Sequence, residues 1–372
     1  MFIYHSIYNK KGNYLLSRLN EGILSETIIV RMPNWIGDLV MAIPVLSSLR
    51  KAYPSAKITA MCLRNIASLL HKHPDLDEIF QFDRGEIFTR NTVKRDIVQK
   101  MRYGQYELGI VLPNSFSSAW LFWQGGVKRR VGYEGNLRNW LLTDVIPRSI
   151  QQSSHHMVTI YQLLLTSLSI PYVITSPNIY LDPVEIEYAK NIFRIYGILE
   201  DSIVLGINIG ATYGSAKCWP AAKFYLLAKK LLENHPLMHL VFFGDQSLSD
   251  KVKKMCSSLP KRAINLAGLT TLRELAAMIS LCDGFITNDS GPMHIADAVS
   301  TPLIAMFGST CKDRTGPYSG GTIIHKETAC SPCFSRVCPI DFPCMEKISV
   351  EEVYNASIDL LVKKEQRNAI LV

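Results

Sequence analysis

Residues 286–296 read ITNDSGPMHIA and mark the clearest passage from strand to helix in the chain. The run that enters this stretch is apolar and β-prone, Asp289 and Ser290 are residue types favoured at helix N-caps, and Gly291 allows close approach to the backbone. Pro292 falls in the first helical turn, where its missing N–H is not needed. A strand that ends at a helix N-terminus offers free N–H groups and a positive dipole end to an anion. The stretch therefore predicts either an anion site or an ordinary βα corner.

Short apolar runs alternate with helical patterns on both sides of this stretch. Strand-like runs occur in the first half at residues 27–32, 57–63, 78–82, 107–113 and 130–133, and in the second half at 203–209, 239–244, 263–267, 284–288 and 302–308. Helical patterns include residues 39–52, 221–232 and 272–281. This alternation is typical of α/β architecture with parallel sheets.

The length of the chain, 372 residues, favours two domains over one simple core. Residues 170–183 contain prolines and lack helical periodicity, so they are predicted to be a linker. The predicted division is an N-terminal extension at residues 1–26, Rossmann-like domains at 27–175 and 176–348, and a C-terminal helix at 349–372. Two doubly wound domains would then face each other across a cleft, and ligands in such sheets bind at the carboxyl ends of the strands.

The composition limits the classes of molecule that the protein is expected to bind. With 48% hydrophobic and 19% charged residues the chain is globular, and its formal net charge of +8 suggests a nucleotide, a phosphorylated lipid, a membrane surface or a nucleic acid. The basic residues are scattered, which argues against nucleic acid. No apolar run is long enough to cross a bilayer, and the start of the sequence lacks the apolar core of a signal peptide. A cytoplasmic location is expected, and nine cysteines are consistent with reduced thiols there.

Two further loops join a strand to a helix. Residues 31–38, RMPNWIGD, place Asp38 at the start of a helix, where its carboxylate either takes a proton from a substrate in the cleft or caps the helix. Residues 210–220, GATYGSAKCWP, combine small residues that expose backbone N–H groups with the hydroxyl of Thr212 and the charge of Lys217. This loop lacks the glycine spacing and the Lys-Ser/Thr pair of a Walker A loop. Together with residues 286–296 it predicts a diphosphate cradle.

Polar residues follow two other strands. Asp245 and Asp250 come after the second strand of the second half, where an acid can accept hydrogen bonds from ribose hydroxyls. They are equally compatible with surface turns. Asn114 and Ser115 end a strand on the cleft side of the first half and are candidates for hydrogen bonds to a sugar acceptor.

An aromatic segment lies in the first half. Residues 118–123 read SAWLFW and are followed by the basic triplet at 128–130. The pattern indicates either contact with a membrane or an aromatic helix that covers a sheet, and the second arrangement is the commoner one.

Four cysteines fall within fifteen residues. Cys330 and Cys333 form a C-x-x-C pair, and Cys338 and Cys344 follow at spacings of five and six. A tetrathiolate site for structural zinc is one interpretation, although these spacings are irregular for it. A redox-labile thiol cluster and a packed structural turn are the alternatives. No catalytic metal is predicted.

Several motifs in one order carry a family resemblance. Residues 27–318 resemble the ADP-heptose:lipopolysaccharide heptosyltransferases of glycosyltransferase family 9, most closely the heptosyltransferase II type. The matching stretches are NWIGD at 34–38, LPNSF at 112–116, AKCWP at 216–220, NLAG at 265–268 and TNDSGPMH at 287–294. The resemblance implies a GT-B fold with the acceptor on the first domain and the ADP-sugar on the second. The cysteine segment occurs in some members, whereas nothing carries over to the first two dozen residues.

The resemblance also implies residue roles. Asp38 matches the general base, Lys217 matches the lysine that holds the donor phosphates, and Thr212 lies in the same loop. The loop at 289–291 matches the part of the family site near the diphosphate and the transferred sugar, and the ribose-binding acid falls within 245–250.

The implied reaction is inverting and needs no metal or other cofactor. It moves L-glycero-D-manno-heptose from ADP-heptose to a heptosyl-Kdo–lipid A acceptor in the lipopolysaccharide inner core. The implied location is cytoplasmic, with peripheral attachment to the inner membrane. Two alternatives stay open: a GT-B transferase that uses another nucleotide sugar, and a nucleotide-sugar-binding homologue without turnover.

Overall fold

The computed structural model of the protein describes residues 26–83, 92–152, 154–171 and 174–370. The predicted N-terminal extension lies outside the described residues except for Glu26, and residues 172 and 173 of the predicted linker also lie outside them.

Within these ranges the strands form two six-stranded sheets. The first sheet contains β1 (Thr27–Arg31), β2 (Lys57–Leu63), β3 (Glu78–Phe82), β4 (Leu108–Val111), β5 (Arg129–Tyr133) and β6 (Asp144–Ile146). The second contains β7 (Ile203–Asn208), β8 (Met238–Phe243), β9 (Ala263–Asn265), β10 (Gly284–Asn288), β11 (Leu303–Phe307) and β12 (Thr322–His325). Their orders are β3-β2-β1-β4-β5-β6 and β12-β11-β10-β7-β8-β9. Counted from its own first strand, each sheet has the order 3-2-1-4-5-6 typical of Rossmann folds.

All ten strand pairings are parallel, so helices run between the strands. The helices in the first half are α1 (Ile36–Ala42), α2 (Pro44–Ala52), α3 (Arg64–Ala67), α4 (Thr92–Tyr103), α5 (Phe116–Gln124), α6 (Arg148–Gln151) and α7 (Met157–Leu163). Those in the second are α8 (Pro183–Ile195), α9 (Ala221–Asn234), α10 (Ser249–Cys256), α11 (Leu272–Ser280), α12 (Gly291–Ala298), α13 (Lys312–Thr315), α14 (Pro343–Glu346) and α15 (Val350–Ile370). Short 3-10 turns lie at Ser68–Leu70, Asn139–Leu141, Leu164–Leu168, Ser215–Lys217 and Gln246–Leu248. None of the helices described here is both long and apolar enough to cross a membrane.

The sequence predicted ten of the twelve described strands and missed one edge strand of each sheet. Every residue of β10 is buried, as expected for a parallel strand covered on both faces. The α/β architecture with parallel sheets is therefore confirmed. Two strands were not predicted, β6 and β12, because they are short edge strands with exposed positions and carry no continuous apolar run.

One predicted helix is interrupted in the structure, and another is found as predicted. The helix predicted over 39–52 is two helices, because Pro44 cannot donate a backbone hydrogen bond and instead occupies the first turn of α2. The C-terminal helix begins as predicted: the Ser349 hydroxyl accepts the N–H of Glu352, whose carboxylate accepts the N–H of Ser349. The helix continues to Ile370, within the predicted range 349–372, and packs on α9, β10 and β11.

The two sheets meet through two helices. One is α1, which follows the first strand of the first sheet, and the other is α12, which follows the fourth strand of the second sheet in chain order. Helix α1 packs against α12, and the contact is close at two glycines. A Cβ added at Gly37 would lie 2.6 Å from Cδ2 of His294, and one added at Gly291 would lie 3.0 Å from the Cβ of Ile36. The absence of side chains at both positions lets the two helix N-termini approach each other. The βα corners of the two sheets therefore face one another.

Candidate active site

Asp38 lies in the first turn of α1 and is half-buried. It is not the N-cap residue, because Trp35 occupies that position. The Tyr161 hydroxyl, on α7, donates a hydrogen bond to Oδ1 of Asp38 over 3.0 Å. The carboxylate is therefore held by a residue 123 positions further along the chain, which the sequence analysis did not identify.

Groups from both sheets shift the pKa of the Asp38 carboxyl. Burial raises the pKa of its carboxyl above the ordinary value. The hydrogen bond from Tyr161 and the charge of Lys217 act in the opposite direction, while the charge of Asp289 adds to the increase. A raised pKa brings a carboxylate closer to the range in which a general base works well. Lys217 and Asp289 follow strands of the second sheet, so residues of both sheets share one electrostatic site.

Lys217 and Asp289 form the most buried ion pair of the site. Lys217 Nζ lies 2.6 Å from Oδ2 of Asp289, and the two side chains are 13% and 4% exposed. The Thr310 hydroxyl, which follows β11, also donates to Asp289 Oδ2. The ammonium of Lys217 lies 4.7 Å from the centroid of the Tyr213 ring. The structure thus brings together the loop at 210–220 and the corner at 286–296, and it links their two charged residues directly.

Ser290 and Gly291 begin α12 without a side-chain cap. The Ser290 hydroxyl instead accepts a hydrogen bond from Nδ2 of Asn208 over 3.0 Å, and it lies 3.0 Å from the Thr287 hydroxyl. Ser290 does occupy the N-cap position, but its side chain makes no capping hydrogen bond, and Asp289 pairs with Lys217 instead of capping the helix. The N-terminus of α12 keeps its positive dipole end for another partner.

The same network fixes the loop at 210–220. Nδ2 of Asn208 also donates to the Gly210 carbonyl over 3.0 Å, and Oδ1 of Asn288 accepts the N–H of Trp219 over 2.9 Å. The buried Trp219 indole donates to the Ile348 carbonyl over 3.1 Å. Thr212, which the sequence placed among the phosphate ligands, is exposed in this loop.

The other predicted ligands have mostly local partners. Oδ1 of Asp245 accepts the N–H of Ser247 over 2.9 Å and so caps a 3-10 turn, and Asp250 is exposed in the first turn of α10. Ser115 caps α5. Asn114 faces a different partner: its Oδ1 accepts a hydrogen bond from Arg138 Nη2 over 3.1 Å.

The four cysteines of the segment at 330–344 have different surroundings in the structure. Cys344 is buried and Cys333 is exposed, while Cys338 Sγ accepts the N–H of Phe342 and Cys330 Sγ lies 3.6 Å from the Thr328 hydroxyl. Over the described part of the chain, no three His, Cys, Asp or Glu residues are grouped as metal ligands. Cys330 and Cys333 lie close enough to Cys344 to contribute to the raised pKa of its thiol, after the larger effect of burial, but the thiols are not grouped as a metal site, so the tetrathiolate stays an expectation.

The chain is similar in sequence to known glycosyltransferases. The model of glycosyltransferase family 9 (heptosyltransferase) matches residues 94–342. Lipopolysaccharide heptosyltransferase 2 of Escherichia coli K12 is 29% identical over 304 residues, which cover 78% of this chain and 85% of that protein. Lipooligosaccharide heptosyltransferase 2 of Haemophilus ducreyi is 31% identical over 309 residues, with 80% and 87% covered.

A solved structure is also similar. The structure of E. coli ADP-heptose lps heptosyltransferase II superposes with a TM-score of 0.77 at 28% identity, over 91% of this chain and 99% of that one. The expected GT-B fold, with two Rossmann-like sheets, is confirmed.

We predict that Tyr161→Phe raises the pKa of Asp38. The hydrogen bond from Tyr161 stabilises the ionised carboxylate, so its loss favours the protonated form, and the carboxylate then ionises at higher pH. The measurement is a carbon NMR titration of protein labelled in its aspartate side chains.

Tyr133→Phe is the matched control, because that buried hydroxyl donates to the Ile160 carbonyl and not to Asp38. An Asp38 pKa that is the same in wild type and in Tyr161→Phe would contradict the role given to Tyr161.

Proposed function

The chain belongs to glycosyltransferase family 9, the heptosyltransferases, and from this premise we propose that it transfers L-glycero-D-manno-heptose from ADP-heptose to the lipopolysaccharide inner core. The proposed acceptor is of the heptosyl-Kdo–lipid A type. The observation that carries the proposal is the meeting of Asp38 from the first sheet with Lys217 and Asp289 from the second. A base on one side and an anion site on the other are what a single displacement at a sugar requires.

The donor is proposed to lie on the second sheet. Its diphosphate would contact Lys217, Thr212 and the uncapped N-terminus of α12 at Ser290 and Gly291. As the bond between the anomeric carbon and the diphosphate oxygen breaks, the electron pair stays on the diphosphate. The fixed positive charge and the helix dipole stabilise that growing charge. Asp289 would then face the transferred sugar, and Asp245 or Asp250 would accept a ribose hydroxyl.

The acceptor is proposed to lie on the first sheet, close to Asn114 and Ser115. Asp38 would remove the proton of the acceptor hydroxyl as its oxygen attacks the anomeric carbon. The attack comes from the face opposite the departing diphosphate, so the configuration at that carbon inverts. Neither a metal ion nor another cofactor has a part in this scheme. The enzyme is proposed to act in the cytoplasm, attached peripherally to the inner membrane, without a nucleic-acid partner.

We predict that Asp38→Asn folds normally, still binds ADP-heptose and loses turnover on the order of 10²–10⁴-fold, the usual contribution of a general base. Asparagine keeps the shape of the side chain but cannot take the proton. The measurement is the initial rate with ADP-heptose and heptosyl-Kdo–lipid A, beside a melting curve of each variant. A rate near that of wild type would remove Asp38 from the mechanism.

We also predict that Lys217→Ala weakens donor binding and lowers turnover on the order of 10²–10³-fold, as found when one preorganised donor is removed. Lys217→Arg should recover part of the rate because it keeps the charge. Lys229→Ala is the control, since Lys229 is 51% exposed on α9 and pairs with Glu233 one turn away. Wild-type kinetics in Lys217→Ala would show that this lysine serves only its ion pair.

A further inference from the structure

Four large apolar side chains are exposed together on the first sheet's side of the molecule. This aromatic surface consists of Phe116 (41% exposed), Trp123 (46%), Leu137 (88%) and Trp140 (64%). The Trp140 ring centroid lies 6.3 Å from that of Phe116 and 6.0 Å from that of Trp123. Leu137 and Trp140 both line a shallow cavity of about 660 Å³. Contiguous apolar patches of this kind mark interaction sites in folded proteins.

Hydrogen bonds to neighbouring backbone carbonyls hold the loop that carries Leu137 and Trp140 in place. The guanidinium of the fully buried Arg138 donates to the Tyr133 carbonyl over 3.0 and 2.7 Å. Asn136 Nδ2 donates to the Asn114 carbonyl over 2.6 Å. Asn136 and Leu137 both have positive φ, at 51° and 57°, a backbone conformation that is unfavourable for leucine. The protein therefore maintains an exposed leucine at a loop tip by buried hydrogen bonds.

The rim of the aromatic surface is basic. Arg148 is exposed and lines the same cavity as Trp140, and the exposed Arg102 donates to the Gln124 carbonyl beside Trp123. Glu134 also lines the cavity, where its carboxylate accepts the backbone N–H of Arg148. Tryptophan rings at the level of the headgroups, with arginine close by, are typical of membrane interfaces.

We propose that the aromatic surface docks on an anionic lipid bilayer. The proposal deepens the proposed function, because a lipid-linked acceptor has to reach the first sheet from a membrane. The loop carrying Leu137 is bonded directly to Asn114, so the docked membrane would lie next to the proposed acceptor site. The aromatic rings would insert at the headgroup level, and Arg102 and Arg148 would contact lipid phosphates.

The test is flotation with vesicles of phosphatidylethanolamine and phosphatidylglycerol, and with vesicles of phosphatidylcholine alone. Wild type should bind the anionic vesicles, more weakly at high salt. The double variant L137S/W140S should bind them at least about tenfold more weakly, because two large side chains no longer bury apolar area. L199S/L237S is the control, since both leucines are 65% exposed elsewhere.

Wild type that does not float with anionic vesicles, or L137S/W140S that floats equally well, would overturn the proposal. A change of oligomeric state without a change in flotation would also overturn it, because the surface would then bind a second copy. Transfer to a deacylated, water-soluble acceptor should be equal in all these variants. Failure of that assay with salt-sensitive flotation intact would count against the proposed function alone.

A separate set of contacts involves the segment at 330–344. The Arg336 carbonyl accepts the N–H of Ala216 over 3.0 Å, and the Phe334 carbonyl accepts the Tyr213 hydroxyl over 2.7 Å. A Cβ at Gly214 would lie 2.2 Å from the Arg336 carbonyl oxygen, so the segment and the loop at 210–220 pack backbone to backbone there. The segment is also bonded to the loop that follows β11, because the Phe334 N–H donates to the Ser309 carbonyl over 2.7 Å. The segment therefore forms a wall beside the proposed phosphate site.

This wall carries a cation that packs on the same Tyr213 ring as Lys217. Cζ of Arg336 lies 5.3 Å from the centroid of the Tyr213 ring, and Lys217 Nζ lies 4.7 Å from the same point. Lys217 is already neutralised by Asp289, whereas Arg336 is exposed and forms no ion pair in the described chain. A diphosphate carries more than one negative charge, and arginine binds phosphate oxygens with two parallel hydrogen bonds.

We infer that Arg336 is a second cationic ligand of the donor diphosphate. Calorimetry should show that Arg336→Gln binds ADP about 10-fold more weakly than wild type, the usual effect of losing a charged hydrogen bond. Its affinity for adenosine should be unchanged. Arg194→Gln is the control, on the exposed face of α8. The inference rests on the proposed donor site.

Equal ADP affinity in wild type and Arg336→Gln, or an equal loss for adenosine, would overturn the inference. UDP and GDP are titrated in parallel. If wild type binds one of these and not ADP, the proposed donor is wrong, while a selective loss for the bound diphosphate in Arg336→Gln still supports Arg336.

Discussion

The close contact between α1 and α12 is the constraint on which the site depends. Each helix begins at the carboxyl edge of its own sheet, and each has a glycine at the point of contact, Gly37 in one and Gly291 in the other. The ring of His294 packs on Gly37, and burial lowers the pKa of this histidine to about 4, so the contact contains no extra positive charge at neutral pH. A neutral, close contact lets Asp38 lie within electrostatic range of Lys217.

The ion pair between Lys217 and Asp289 also affects the energetics of binding a donor diphosphate. Two charges removed from water are stabilised mainly by each other, and the net gain from such a pair is small because desolvation offsets the attraction. A bound diphosphate would offer Lys217 a stronger anion, and Asp289 would keep the Thr310 hydroxyl as a partner. Lys217 would then exchange one anionic partner for another, while Asp289 would retain a hydrogen bond in place of its ion pair.

The sequence predicted the features that depend on neighbouring residues. It missed the contacts between residues that are far apart in the chain. The apolar run of β10 and the start of the C-terminal helix at residue 349 are local signals, and both were found where expected. The break at Pro44 was also local, and it was missed because the apolar period continues through it. Tyr161 and Arg336 could not be found, since each meets its partner only after the chain has folded over more than a hundred residues.

The two proposed binding surfaces lie on different sheets, which suits a lipid-linked acceptor. The aromatic surface lies on the first sheet's side, and its loop is hydrogen-bonded to Asn114. The wall with Arg336 lies on the second sheet's side and is hydrogen-bonded to the loop that follows β11. A water-soluble nucleotide sugar and a membrane-bound glycolipid would therefore approach from opposite sheets. The proposed transfer takes place where α1 contacts α12, the region in which the proposed base Asp38 lies within electrostatic range of Lys217.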